Sequence, residues 1–310
     1  MAFENWKSEY ISTLKGKEVE EIIDLIIYRP VSFLIVKLIY PLRITPNEIS
    51  VIALLMGLFA GISYAFGSAE FYTIAAIFFF LCNTLDCVDG QLARLKKNGT
   101  KVGRIVDGFI DYVTAASTFV GIAIALSSSS VVLSNINDTP FGPLIKITEN
   151  TSVIVAWLLT AVAALSRIVQ NTLFDYNRNM YLKYVYNKVE DLDEEIADYT
   201  GEKDRLAKLE GKRIEKFLVN IYLWYCNVQK KITHYEHLNV TPEEYKRLNK
   251  ALLRMWSWLG STTHITAAII LTLLYRVDIY LYLVVIVGNL LCLILFIIQK
   301  SIILYLKYKK

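Results

Sequence analysis

Cysteine is scarce in this chain, and no pair of cysteines is spaced to do a structural job. Cys82, Cys87, Cys226 and Cys292 are the four in 310 residues, with no C-x2-C pair among them, so neither a disulfide scaffold nor a structural zinc site is indicated. They read as reduced or membrane-buried thiols. A charge excess is also missing: 33 Lys+Arg against 29 Asp+Glu leaves a net of +4, without the basic surplus expected of a nucleic-acid binder. The first twenty residues lack the basic segment and apolar core of a secretory signal, and no internal repeat or low-complexity tract is visible. What the chain has in abundance is apolar residues, at 55% of the sequence. With a mean hydropathy of +0.40, this argues against an ordinary cytosolic enzyme and for an all-helical membrane protein.

A bilayer core of ~30 Å needs ~20 mostly apolar residues per helical crossing. Six stretches approach that length, at 46–67, 71–95, 102–127, 151–174, 251–275 and 279–305. The shorter run 31–42 is interrupted by Lys37 and bounded by Pro30 and Pro41, which suits a helix lying along the interface. Thr45-Pro46-Asn47-Glu48 has the pattern of a capping box with proline at the first helical position, so the first crossing should start there. The expected organisation is an interfacial amino-terminal segment over 1–45, crossings one to four over 46–174, a helical cytosolic insert over 175–250, and crossings five and six over 251–310.

Lysine and arginine concentrate in the amino-terminal arm, the 96–104 turn, the insert and the tail, whereas 67–70 and 128–150 carry Lys146 alone. By the positive-inside tendency both termini face the cytosol. Asn137-Asp138-Thr139 and Asn150-Thr151-Ser152 match glycosylation triplets on the outer side, a pattern common by chance. In the insert, Glu190, Asp191, Asp193, Glu194 and Glu195 read as a solvated helix face. Residues 217–228 are apolar but short and flanked by cations, as in a helix lying among headgroups. Thr241-Pro242-Glu243-Glu244 repeats the capping-box pattern ahead of the fifth crossing.

Four acids fall at membrane depth: Asp86, Asp89, Asp107 and Asp111. A buried carboxylate costs at least a few kcal/mol, so each needs a partner. Asp86, Asp89, Gly90, Ala93 and Arg94 share one helical face, as do Gly103, Asp107 and Asp111. Between them Asn98-Gly99-Thr100 reads as a tight connection, with Gly99 as the left-handed helix terminator and Thr100 as the next cap. In the resulting antiparallel hairpin, 83–111, Asp86 and Asp111 lie at a similar depth, roughly 18 Å from the turn at ~1.5 Å per residue. Two arginines, Arg94 and Arg104, cannot neutralise four acids, and hard divalent ions such as Mg²⁺ or Mn²⁺ can. Small residues on the same face admit a bulky ligand, although helix packing uses them too. Arg94 has the fork to clamp a phosphate. Together these features suggest a nucleoside diphosphate ligand.

The run Asp86-Cys87-Val88-Asp89-Gly90-Gln91-Leu92-Ala93-Arg94, followed after eight residues by Gly103-Arg104-Ile105-Val106-Asp107-Gly108-Phe109-Ile110-Asp111, resembles the D-x2-D-G-x2-A-R-x8-G-x3-D-x3-D signature of the CDP-alcohol phosphotransferase (phosphatidyltransferase) family at every fixed position. The resemblance implies transfer of a phosphate-linked group from a CDP-alcohol to a hydroxyl acceptor with release of CMP, in a multi-pass cytoplasmic-membrane homodimer whose site opens to the cytosol. It further implies that Asp86, Asp89 and Asp107 bind two metal ions, that Asp111 contributes to the metal site and acts as general base, and that Gly90, Ala93 and Arg94 bind the CDP portion. Asn83, one turn earlier, is a weaker candidate for the same pocket. Beyond the third crossing the likeness is one of architecture, and the 175–250 insert departs from compact family members.

Acceptor recognition must come from elsewhere. Arg167, Asn171, Asp175 and Arg178 form a polar stripe toward the cytosolic end of the fourth crossing. An arginine there suggests a phosphate partner, with snorkelling or a carboxylate pair as the other reading. His264, with Ser257 and Ser261 at helical spacing, could line the same cavity or be satisfied by a backbone carbonyl. His234 and His237 have no third ligand nearby and read as surface residues. Arg104, Arg167 and Arg178 favour CDP-diacylglycerol as donor and an anionic acceptor such as inositol phosphate or glycerol phosphate. The alternative is headgroup transfer from CDP-ethanolamine or CDP-choline to diacylglycerol. No cytidylyltransferase domain precedes the hairpin, so the donor is expected ready-made. A divalent-cation transporter would also explain the four acids, but not Gly90, Ala93 and Arg94.

Overall fold

Thr45 opens the first long helix as the sequence predicts. Its hydroxyl accepts from the Glu48 amide while the Glu48 carboxylate accepts from the Thr45 amide, and Pro46 occupies the first turn, where no backbone donor is needed. The computed structural model describes residues 2–128, 152–187, 192–209, 211–232, 238 and 240–308, and all regular structure among them is helical. The helices are α1 (Ala2–Ser12), α2 (Arg29–Ile39), α3 (Pro46–Ala65), α4 (Ala69–Lys96), α5 (Lys101–Ser128), α6 (Ser152–Tyr186), α7 (Leu192–Ala207), α8 (Arg213–Ile232), α9 (Pro242–Trp256), α10 (Ser261–Leu273), α11 (Val277–Tyr282) and α12 (Asn289–Tyr308). A π-helical turn, Asp24–Tyr28, leads into α2, and another, Leu283–Gly288, joins α11 to α12 into one continuous rod.

Five helical stretches are long and apolar enough to cross a membrane: Pro46–Ala65, Ala69–Lys96, Lys101–Ser127, Val153–Tyr186 and Val277–Tyr308. The expected fifth crossing, 251–275, is not one helix. Amphipathic α9 ends at Trp256, a 3-10 turn covers Ser257–Leu259, Gly260 is extended, and only the thirteen residues of α10 continue, or ~20 Å of helix. The break occurs because a carboxylate from the amino-terminal arm caps α10. Glu21 accepts from the amides of Thr262 and Thr263, and a Cβ on Gly260 would fall 2.3 Å from the Glu21 carboxyl carbon. Ser257 therefore belongs to the turn, where its hydroxyl bonds the Arg254 carbonyl, and does not share a helical face with Ser261 and His264.

Other boundaries also move. α2 begins at Arg29, two residues before the expected run, and α6 continues to Tyr186, at 35 residues longer than a ~30 Å core demands. Between α4 and α5 the left-handed residue is Lys97 (φ 52°), not Gly99. The amides of Lys97 and Asn98 both reach the Ala93 carbonyl, so the helix terminates two residues earlier than the glycine. Thr100 does cap α5, accepting from the Gly103 amide at 2.9 Å. At the second capping motif, Thr241 accepts from the Glu244 amide. The triplets at Asn137 and Asn150, and His234 and His237, lie outside the described residues.

The main core is assembled from α3, α4, α5, α6, α10 and α11 and includes Tyr64, Phe79, Phe119, Leu126, Ile269 and Tyr280. Glycines bring α3 and α5 into backbone contact: Gly57 faces Thr114, and Gly61 faces Ser117 and Gly121. A second cluster around Trp256 joins α6, α9 and α12. The insert folds onto α5. α7 and α8 bury Tyr199, Leu206, Val219 and Leu223 against Ile105, while Phe217, Ile221 and Trp224 stay exposed on the outer side of α8. That two-faced pattern fits a helix lying among headgroups.

Candidate active site

The glycine-mediated α3–α5 contact and the short 97–100 connection hold α4 and α5 antiparallel, so their acid-bearing faces oppose each other. Ligand oxygens of Asp86, Asp89 and Asp107 all lie within 4.8 Å of one another. Asp89 is buried, and its Oδ2 accepts from the Ser50 hydroxyl at 2.5 Å, which fixes one carboxylate from a third helix. Three carboxylates within that span, one of them already oriented, form the hard oxygen donor set that Mg²⁺ or Mn²⁺ prefers. Asp111 stands apart from this trio, one turn deeper along α5.

Two larger cavities flank the acids. The first, of about 340 Å³, is lined by Asp89, Gly90, Ala93, Arg94, Gly103 and Asp107, with Arg104 at its edge. Its size is within the range of small-ligand sites, ~300–1,000 Å³. Arg94 folds back over Gly90, where a Cβ would meet the guanidinium at 3.3 Å. Its Nε donates to the Thr13 carbonyl, while Nη2 is buried without a partner. Gly103 is similarly tight, with room for no Cβ beside Asn47 and Thr100. The second cavity, of about 510 Å³, is lined by Asp111, Arg167, Asn171, Asp175 and Ser261. Arg167 is buried, donates to the Ser261 hydroxyl at 3.3 Å and lies near the Tyr280 side chain. A small inner cleft contains Asp86, Asp111, Arg167 and Asn83.

Several expected residues thus separate. Asn83 lies in the inner cleft, away from Gly90, Ala93 and Arg94. Arg178 lines neither large cavity; it pairs with Asp175 at 2.9 Å and stacks on Phe174. His264 is buried, its Nε2 without a partner among the described residues and outside these cavities. Arg104 stays at the rim of the first cavity, and its neighbour on α5, Lys101, forms an ion pair with Asp198 of α7, so the insert reaches the edge of the site.

The sequence reading missed the amino-terminal arm, which packs behind and beside the acids. Asp24 accepts from the Cys87 thiol and the Thr262 hydroxyl. Glu20 and Arg29 form a buried ion pair at 3.0 Å, and the Arg29 carbonyl accepts from Gln91. Burial pushes the Glu21 carboxyl up to about 8, with the nearby Asp24 charge adding to it and the Thr262 and Thr263 amides opposing. For Glu20, burial works the same way, but Arg29 and the Lys15 amide outweigh it and hold the carboxyl below its usual range. The only available sequence signal was the placement of Glu20, Glu21, Asp24 and Arg29 inside an otherwise apolar stretch.

Residues 43–185 match the model of the family described as CDP-alcohol phosphatidyltransferase. The phosphatidylinositol phosphate synthase of Corynebacterium glutamicum is 30% identical over 94 residues, which cover 30% of this chain and 40% of that protein. The matched stretch thus spans less than half of the relative's length.

Proposed function

Since the chain belongs to the CDP-alcohol phosphatidyltransferase family, we propose that it transfers a phosphatidyl group from CDP-diacylglycerol to a phosphorylated polyol such as inositol phosphate, releasing CMP. The observation that carries this reading is the placement of the carboxylates between two cavities. One cavity carries Gly90, Ala93 and Arg94 for the nucleotide. The other carries Arg167 beside Asp111 and suits an anionic hydroxyl acceptor. Headgroup transfer to diacylglycerol would leave that buried guanidinium facing a neutral lipid alcohol.

Asp86, Asp89 and Asp107 would hold two divalent ions, and Asp111, which lines the inner cleft with Asp86, is left to act as base. Such ions supply neutralisation of the diphosphate charge and in-line alignment of attacking and leaving oxygens. Gly90 and Ala93 leave room for the nucleotide against the α4 backbone, and Arg94 fixes a phosphate. In the second cavity Arg167 would orient the acceptor by its phosphate so that a hydroxyl points at Asp111. Asp111 takes the hydroxyl proton as the oxygen bonds to the lipid-bearing phosphorus. The bond from that phosphorus to the CMP oxygen breaks, and CMP leaves with the electron pair. A positioned base of this kind contributes ~10²–10⁴-fold.

We place the protein in the cytoplasmic membrane with the site open to the cytosol. α10 forms a short sixth crossing inside the bundle, where Ile265, Ala268 and Ile269 join the main core. The test is a donor–acceptor panel with purified protein and Mg²⁺ or Mn²⁺. CDP-diacylglycerol with inositol phosphate or glycerol 3-phosphate should release CMP. Turnover only with CDP-choline or CDP-ethanolamine plus diacylglycerol would reverse the assignment of donor and acceptor.

A further inference from the structure

The nucleotide cavity is completed by a part of the chain that precedes the family-matched region. Lys15 lines it together with Asp89, Gly90, Arg94 and Asp107, although the match begins only at residue 43. The turn that bears Lys15 is fixed from two sides. The Lys15 amide donates to Glu20 Oε1 at 2.8 Å, and Glu20 is locked in turn by Arg29. Two residues earlier, the Thr13 carbonyl receives Arg94 Nε. The arm therefore positions Arg94 and brings a second cation to the same cavity.

We propose that Lys15 is a diphosphate-binding residue of the nucleotide site, acting with Arg94 on the phosphate oxygens, in the cavity that also contains Asp89 and Asp107 of the trio that would hold divalent ions. This rests on the reading of the cavity as the CDP site. Its geometric support is the shared cavity, the solvent-accessible Lys15 side chain at the rim, and the buried Arg94 Nη2 that has no protein partner. Among the described residues no ion pair of Lys15 is found. The surrounding charge is mostly cationic: repulsion by Arg178 lowers the Lys15 pKa, followed by desolvation and by Arg29 and Arg94, with Glu20 opposing. Cations gathered at one wall, opposite acids at the other, match a ligand that carries several anionic oxygens and also binds metal.

The experiment is calorimetric binding of CDP to the full-length protein in Mg²⁺, with cytidine followed by competition, for wild type, Lys15→Gln and Lys15→Arg. One charge-assisted contact predicts ~10–100-fold weaker CDP binding in Lys15→Gln, unchanged cytidine binding, and substantial retention in Lys15→Arg. Equal losses for CDP and cytidine, or an arginine variant as weak as the glutamine one, would make Lys15 a structural residue of the arm and overturn the proposal. Unchanged CDP binding with a raised KM for the phosphorylated acceptor would also overturn it, by moving Lys15 to the other substrate. Failure of the wild type to bind CDP would instead remove the nucleotide reading itself, and this inference with it.

Discussion

The Ser50 hydroxyl on α3 donates to Asp89 Oδ2 on α4 at 2.5 Å, so the helix that opens at the Thr45 cap also orients one carboxylate of the trio that could hold a metal ion. Partners of this kind are worth ~10–100-fold in metal affinity. Ser50→Ala is expected to weaken Mn²⁺ binding by about that factor, read by electron paramagnetic resonance titration, with little change in thermal stability.

The α3–α5 crossing has no room for a methyl group. A Cβ on Gly61 would lie 2.0 Å from Ser117 Oγ and 2.6 Å from the Ser117 carbonyl carbon, so the backbones themselves would have to part. Gly61→Ala should destabilise by ~1–3 kcal/mol or more, seen as a lowered Tm in detergent, and should loosen the alignment of the carboxylates. Gly108, with nothing within 4 Å of its Cβ position, should accept alanine without a loss of Tm.

Glu21 gives a pH dependence of defined sign. Its carboxyl is raised to about 8 in the folded protein, by burial first, from the usual carboxylate value of ~4.3. Over that interval the unfolded chain has lost the proton and the folded chain keeps it, so stability declines as pH rises from about 5 toward 8. Glu21→Gln cannot ionise, and its single oxygen keeps an acceptor for only one of the Thr262 and Thr263 amides, so its Tm should be lower throughout. Its Tm profile across this window should be flatter than that of the wild type.

Arg167 should act on the acceptor rather than on the nucleotide. Arg167→Lys keeps the charge but loses the fork that bonds Ser261. The expected result is a raised KM for the phosphorylated acceptor, ~10-fold or more, with CDP affinity near wild type.

The hairpin was legible in the sequence because its chemistry is local: the eight spaced residues of the signature, the Thr45–Glu48 cap and the Thr100 cap all act within a few turns. Long-range contacts were not legible. Residues 251–275 read as one apolar segment, and nothing local signals that Glu21, some 240 positions earlier, caps α10 and breaks that segment at Gly260. The same holds for Thr13, which reaches Arg94 across 81 positions, and for Lys15. Asn83 sits one turn before Asp86, yet it faces the inner cleft rather than the nucleotide cavity, a distinction finer than helical periodicity resolves. At the 97–100 turn, a glycine was the expected left-handed residue by propensity, but the early end of α4 assigned that conformation to Lys97.

Acceptor-dependent CMP release should depend on divalent ions held by Asp86, Asp89 and Asp107. The most direct test is CMP release from CDP-diacylglycerol and inositol phosphate, measured after chelation and on adding back Mg²⁺ or Mn²⁺, in wild type and in Asp107→Asn. No release is expected without metal, with recovery on addition in the wild type and a rate ~10²-fold lower or worse in the variant. Release that persists under chelation, or an Asp107→Asn protein that works at the wild-type rate, would contradict this dependence.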